Sequence, residues 1–229
     1  MIFRLLLTAS LLNLLTTTIS AEDFSRWDKS IAAFEKQDLA QSPEKGGVVF
    51  VGSSSIRLWD LEKSFPNSGY LNRGFGGSQI ADANHFIEQL VLKHEPKIVV
   101  MYAGDNDIAA KKTPQRVAKD FKTFAAKLHK ALPETYLIYV AIKPSVKRWE
   151  MWPKMNEANE LIARQCAGDK RLTFLDIAEP MIGDDGEIGS EWFVADGLHL
   201  NEQGYALWTK LVQQKLKQVV VPATNPDCP

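Results

Sequence analysis

Cysteine is nearly missing from this chain of 229 residues: Cys166 and Cys228 occur without CxxC spacing and without a histidine cluster beside them. The thiolate and imidazole ligands of a structural zinc site are therefore not at hand, and neither a metal nor another cofactor is implied. Charge of one sign is missing too. Lys and Arg total 27 against 28 Asp and Glu, a formal net charge of -1. That leaves no basic field for a nucleic-acid backbone and no acidic tail for basic partners. Glycine and proline stay at 14 and 11 residues and no repeat or low-complexity linker interrupts the sequence, so collagen-like and disordered classes drop out. What is present, 45% hydrophobic, 24% charged and 10% aromatic residues, is the composition of a single globular domain. Any binding must come from a local site.

An apolar run of the roughly 20 residues that a spanning helix needs is also lacking. The stretch from Leu5 to Leu15 is broken by Thr8, Ser10 and Asn13, follows Arg4, and leads through Thr16-Thr17-Thr18-Ile19-Ser20 to the small residue Ala21. This order is a secretory signal pattern, with cleavage expected near Ala21. No lipobox cysteine follows, so a soluble periplasmic or secreted protein with no stable membrane anchor is expected, and residues 22–229 form its one domain. An oxidising compartment favours a Cys166–Cys228 disulfide that staples the tail. Two free thiols are the alternative.

Apolar runs alternate with helical patterns along the rest of the chain. Amphipathic spacing predicts helices over about Phe24–Leu39, Ile80–Lys93, Pro114–Leu132, Pro153–Cys166 and Glu202–Lys217. Between them, Val48–Val51, Tyr70–Asn72, Ile98–Tyr102, Tyr136–Ile142 and Leu172–Leu175 read as short strands, the first a continuous apolar run of the kind found in buried parallel sheets. Strands alternating with helices give parallel βαβ units in a three-layer α/β/α sandwich. Sites in such folds lie at the C-terminal ends of the strands.

Four segments fall at those ends. Gly52-Ser53-Ser54-Ser55-Ile56 follows the first strand and opens a helix, where a serine is either a nucleophile or a cap. Asn72-Arg73-Gly74-Phe75-Gly76-Gly77 follows the second, with glycines able to turn backbone N–H groups toward an oxygen. Gly104-Asp105-Asn106-Asp107 follows the third and supplies a side-chain amide. Asp196-Gly197-Leu198-His199 puts a carboxylate three residues before an imidazole, close enough to hold Nδ1 and leave Nε2 as a base. His85 and His129 sit in charged helical patterns and His94 at a helix end, where solvated or capping roles are expected.

Serine, glycine, asparagine and Asp-xx-His blocks in this order resemble the SGNH hydrolases, the GDSL lipase/esterase superfamily, from Val48 through Tyr205. The resemblance implies a flavodoxin-like sandwich with a five-stranded parallel sheet and a cofactor-free serine hydrolase acting on esters. It places Ser54 as nucleophile, His199 as base and Asp196 as third triad member, with Ser54, Gly77 and Asn106 forming the oxyanion hole. Ser53 stands where the family usually has Asp, and this Gly-Ser-Ser-Ser-Ile form with Trp59 is similar to a subgroup near the platelet-activating-factor acetylhydrolase-like esterases. Lys143, Arg148, Trp149 and Trp152 follow the fourth strand and are expected to contact substrate, with packing roles the alternative. No long apolar segment offers an acyl tunnel. The expected substrate is therefore a small-molecule or carbohydrate ester with a short acyl group such as acetyl; a lysophospholipase, a thioesterase or a non-catalytic carbohydrate-binding protein are the rival readings.

Overall fold

The computed structural model describes residues 23–220. The expected signal segment and Cys228, and with it the expected Cys166–Cys228 bond, lie outside the described residues; among the described residues Cys166 is buried and has no disulfide partner. Five strands, β1 (Val48–Gly52), β2 (Leu71–Gly74), β3 (Ile98–Tyr102), β4 (Tyr136–Val140) and β5 (Leu172–Leu175), form one sheet in the order β2-β1-β3-β4-β5. Every pairing is parallel. The order reverses beside β1, between β1 and β3, which is where doubly wound sheets open a crevice at the strand C-termini.

The continuous apolar reading of the central strands has a direct cause. Successive side chains point to opposite faces, and both faces are covered. Val49, Val51, Val99, Met101, Leu137 and Tyr139 pack beneath α1 (Asp28–Gln41), α4 (Ile80–His85), α7 (Pro114–Ala131) and α8 (Trp152–Ala167). Phe50, Val100, Tyr102, Ile138 and Val140 face the other layer, where Trp208, Val212 and Leu216 of α9 (Glu202–Val220) cover them. The short helices α2 (Ser54–Arg57) and α3 (Leu61–Ser64) add Ile56 and Leu61 to that second core.

The expected helix over 80–93 is broken. It ends at α4, resumes as α5 (Ile87–Leu90), and closes with a 3₁₀ turn at Leu92–His94. At the break the Asn84 carbonyl accepts from Lys127 Nζ at 2.8 Å while the Asn84 amide donates to the Asp120 carbonyl at 2.8 Å. Side chains and backbone of α7 have replaced the helical ladder there. α6 (Asp105–Ala109), a single turn after β3, is likewise too short to leave a periodic pattern. β4 ends at Val140, two residues sooner than expected, because the Asn159 side chain takes both polar groups of the Ile142 backbone, at 2.8 and 2.9 Å.

His94 is buried rather than solvated, 3.6 Å from Asp38 and close to Arg73 and Lys93. Burial, reinforced by Arg73, lowers its pKa to about 4. A histidine that takes up its proton more readily in the unfolded chain makes the fold lose stability as the pH falls from about 6.5 toward 4. His94→Gln should therefore flatten that part of the stability profile by about 1–2 kcal/mol relative to the parent protein, read from urea midpoints at pH 4.5 and 7.5. Parallel profiles for the two proteins would show that His94 does not set the acid limb.

Candidate active site

Gly52 ends β1 at φ +144°, and a Cβ there would sit 1.8 Å from the Tyr102 carbonyl oxygen. Only glycine lets the chain leave the sheet so close to β3. Ser53 follows in an extended conformation, its N–H donating to that same carbonyl at 3.0 Å, and Ser54 opens α2. This path sorts the three serines. Ser53 and Ser55 are buried, and Ser54 is partly exposed. Tyr205 of α9 donates its hydroxyl to the Ser55 carbonyl at 2.9 Å and ties the turn to the neighbouring layer.

The structure brings Ser54, His199 and Asp196 into one line. Ser54 Oγ lies 3.0 Å from His199 Nε2, and His199 Nδ1 lies 2.6 Å from Asp196 Oδ2. The other carboxylate oxygen accepts from the backbone N–H groups of Leu198 and His199 at 2.8 and 2.9 Å. The His199 side-chain hydrogen bond, helped by those backbone donors, holds the Asp196 carboxyl well below the usual carboxylate range. An ionised Asp196 accepts only, so Nδ1 carries the proton and Nε2 is left to accept from the Ser54 hydroxyl. The loop itself is pinned by Val194 N–H to the His199 carbonyl at 2.9 Å and by Lys147 N–H to the Gly197 carbonyl at 3.0 Å.

Gly77 turns at φ +81°, in the left-handed region where L side chains are strained, with the Trp27 ring 3.6 Å from where its Cβ would be. Among the described residues neither the Ser54 nor the Gly77 N–H has a protein acceptor. Asn106 Nδ2 donates one proton to the Ser78 carbonyl at 3.1 Å, and the Ser78 hydroxyl donates to the Gly52 carbonyl at 3.1 Å. Three elements thus converge: the turn after β1, the loop after β2, and α6 after β3.

The expected contacts after β4 divide. Lys143 is 1% exposed, with Nζ 5.8 Å from the centre of the Tyr102 ring and 5.9 Å from that of Phe193. It lies beneath the site instead of on an open face, and burial lowers its pKa. Arg148 also does not project into solvent: Nη1 donates to Asp105 Oδ2 at 2.9 Å and Nη2 to Asn106 Oδ1 at 3.0 Å. Trp149 and Trp152 are half-buried and stack with ring centres 6.2 Å apart. Trp152 also packs against the core and borders a pocket of about 500 Å³ with Asn156, Asp176 and Glu179. Sequence reasoning, which gives the Asp residues flanking Asn106 a capping or loop-bonding role, missed Ser78, Tyr205 and the partner of Asp105. Asp105 had the strongest signal, a carboxylate beside the singled-out Asn106 with its cation 43 residues away; pairing at that separation is invisible without the fold.

The triad lies open, with 39% of the Asp196 side chain and 28% of that of His199 exposed. A groove of about 490 Å³ between α3 and α9, lined by Trp59, Lys63, Glu202, Tyr205 and Thr209, contains none of the triad. Among the described residues no His, Cys, Asp or Glu cluster could hold a metal ion, and no helix is long and apolar enough to cross a membrane.

Residues 57–207 match the GDSL-like Lipase/Acylhydrolase family. The matched segment holds Gly77, Asn106, Asp196 and His199 and begins just after Ser54. No curated protein is similar enough in sequence to count as a relative. Among solved structures, a protein provisionally described as an acylhydrolase from Bacteroides fragilis superposes with a TM-score of 0.70 at 22% identity, covering 88% of this chain and 100% of its own. A GDSL-like lipase from Bacteroides thetaiotaomicron gives 0.65 at 22% identity, covering 86% and 98%. A mutant of Axe2, an acetyl-xylooligosaccharide esterase from Geobacillus Stearmophilus, gives 0.60 at 13% identity, covering 77% and 96%. At these identities the likeness is one of fold.

Proposed function

Because the chain belongs to the GDSL-like lipase/acylhydrolase family and is a hydrolase acting on esters, we propose that it works through Ser54, His199 and Asp196 and removes short acyl groups, such as acetyl, from a carbohydrate or small alcohol. The observation that carries this reading is the Ser54–His199–Asp196 line at 3.0 and 2.6 Å. His199 Nε2 takes the Ser54 proton as Oγ attacks the ester carbonyl. The alcohol then leaves with that proton, and a water activated by the same nitrogen hydrolyses the acyl-enzyme. The N–H groups of Ser54 and Gly77 and the second Asn106 amide proton would hold the oxyanion.

The open setting of the triad favours a short acyl group over a long chain threaded into a tunnel. The stacked Trp149 and Trp152, on the segment that carries Arg148 and leads into α8, offer aromatic faces to a sugar ring. That one fold neighbour is an acetyl-xylooligosaccharide esterase fits the same substrate class. Hydrolysis of p-nitrophenyl esters from acetate to palmitate, followed by acetate release from acetylated xylan, tests the reading. Rates should fall steeply beyond butyrate. Preference for long chains would instead indicate a lysophospholipase, and binding of xylan without hydrolysis of any ester would indicate a carbohydrate-binding protein. The signal pattern at the N-terminus supports export with cleavage near Ala21, which N-terminal sequencing of protein secreted by the producing cell would check.

A further inference from the structure

The geometry points to Arg148 as a positioning residue that fixes the Asn106 amide for oxyanion binding, with Asp105 as its counter-ion. This rests on the reading of Asn106 as an oxyanion donor.

An asparagine amide can sit in two orientations related by a half turn, and only one presents N–H to the reacting oxygen. Both neighbours of Asn106 select the same one. The Ser78 carbonyl accepts from Nδ2 at 3.1 Å, and Arg148 Nη2 donates to Oδ1 at 3.0 Å. Flipping the amide would set its oxygen against a carbonyl and its N–H₂ against a guanidinium, so two hydrogen bonds become two clashes of like polarity. A donor on Oδ1 also polarises the amide and strengthens its remaining N–H.

The guanidinium is itself aimed. Arg148 breaks the helical path of its 3₁₀ segment (Val146–Met151) at φ -121°, ψ 23°, and its N–H holds the Ser145 carbonyl at 3.2 Å. Nη1 is bound to Asp105 Oδ2 at 2.9 Å, and that carboxylate is buried beside the site, its other oxygen without a hydrogen-bond partner among the described residues. Asp105 and Asn106 are adjacent in α6, so one planar fork grips two consecutive side chains. A lysine ammonium cannot span both acceptors in this way.

The test is a double-mutant cycle on acetyl ester hydrolysis, with thermal melts to establish that each variant folds. Asn106→Ala should lower kcat roughly 100-fold. Arg148→Ala should lower kcat roughly 10- to 100-fold with KM changed less than about threefold. Arg148→Lys, which keeps the charge and perturbs packing least, should recover only part of that loss. In the Asn106→Ala background, Arg148→Ala should cost almost nothing more, because its effect passes through the amide. Additive losses, or an effect confined to KM, would overturn the positioning role and make Arg148 a structural or substrate-binding group. Unchanged kcat in Asn106→Ala would instead remove Asn106 from the oxyanion hole, a separate failure of the underlying reading.

Discussion

Ser54→Ala is expected to reduce kcat for p-nitrophenyl acetate by roughly 10⁴-fold or more, since the hydroxyl proposed to form the acyl bond is gone and only oxyanion and binding effects remain. Stability should barely move. Ser54 is partly exposed and its side chain meets His199, which is itself partly exposed. A melting curve superimposable on the parent's separates lost chemistry from lost fold. The neighbouring serines supply the controls. Ser53 Oγ is buried with no hydrogen-bond partner among the described residues, a situation that costs a protein about 1–3 kcal/mol per group. Ser53→Ala should therefore be neutral or stabilising and retain activity. Full activity in folded Ser54→Ala, with loss in Ser53→Ala or Ser55→Ala, would shift the nucleophile by one residue.

The second large effect is expected at Asp196. Asp196→Asn keeps the size of the side chain but can turn an N–H₂ toward His199 Nδ1, which then must accept and place its proton on Nε2. An Nε2 that carries a proton cannot take one from Ser54. The loss in kcat should approach roughly 10⁴-fold, the size of effect that the wrong imidazole tautomer produces in a serine protease triad. Asp196→Ala should be milder, because it removes the orienting acceptor without enforcing that tautomer. The substitution also removes a carboxylate held well below its ordinary pKa by His199 and two backbone donors. Such a group stabilises the fold above its unfolded pKa and loses that contribution as the pH drops through the folded value. The variant should accordingly match the parent in stability at acid pH and fall behind toward neutrality. An unaltered kcat at neutral pH would reduce the machinery to a Ser54–His199 dyad.

The strands, the parallel sheet and the line-up of four loops at one edge were legible in the sequence because each rests on local information. Val48–Val51 is apolar at every position since the sheet is covered on both faces, and Thr113-Pro114 opens α7 with a cap and a ring that needs no N–H donor. Asp196 and His199 lie three residues apart, so one turn of chain can pair them. The family resemblance points to Ser54, and the buried placement of Ser53 and Ser55 is what the fold adds.

What the sequence could not hold was contact between distant residues. The break at Phe86 follows from Lys127 and Asp120 reaching across from α7 to Asn84, and local propensity is blind to such a partner. Burial of His94 and Lys143 depends on which layer folds over them, and nothing in their neighbours along the chain records it. By sequence Arg148 reads as a substrate contact beside two tryptophans. Only when the turn after β4 is folded against α6 do Asp105 and Asn106 come within 3.0 Å of its guanidinium. Periodicity in the sequence thus marked most of the strands and helices, and the resemblance to the GDSL family, added to the short Asp196–His199 spacing, singled out the side chains proposed to react. Tertiary structure decided how the site is held, because hydrogen bonds between segments more than 40 residues apart exist only after the sheet has brought its strand ends together.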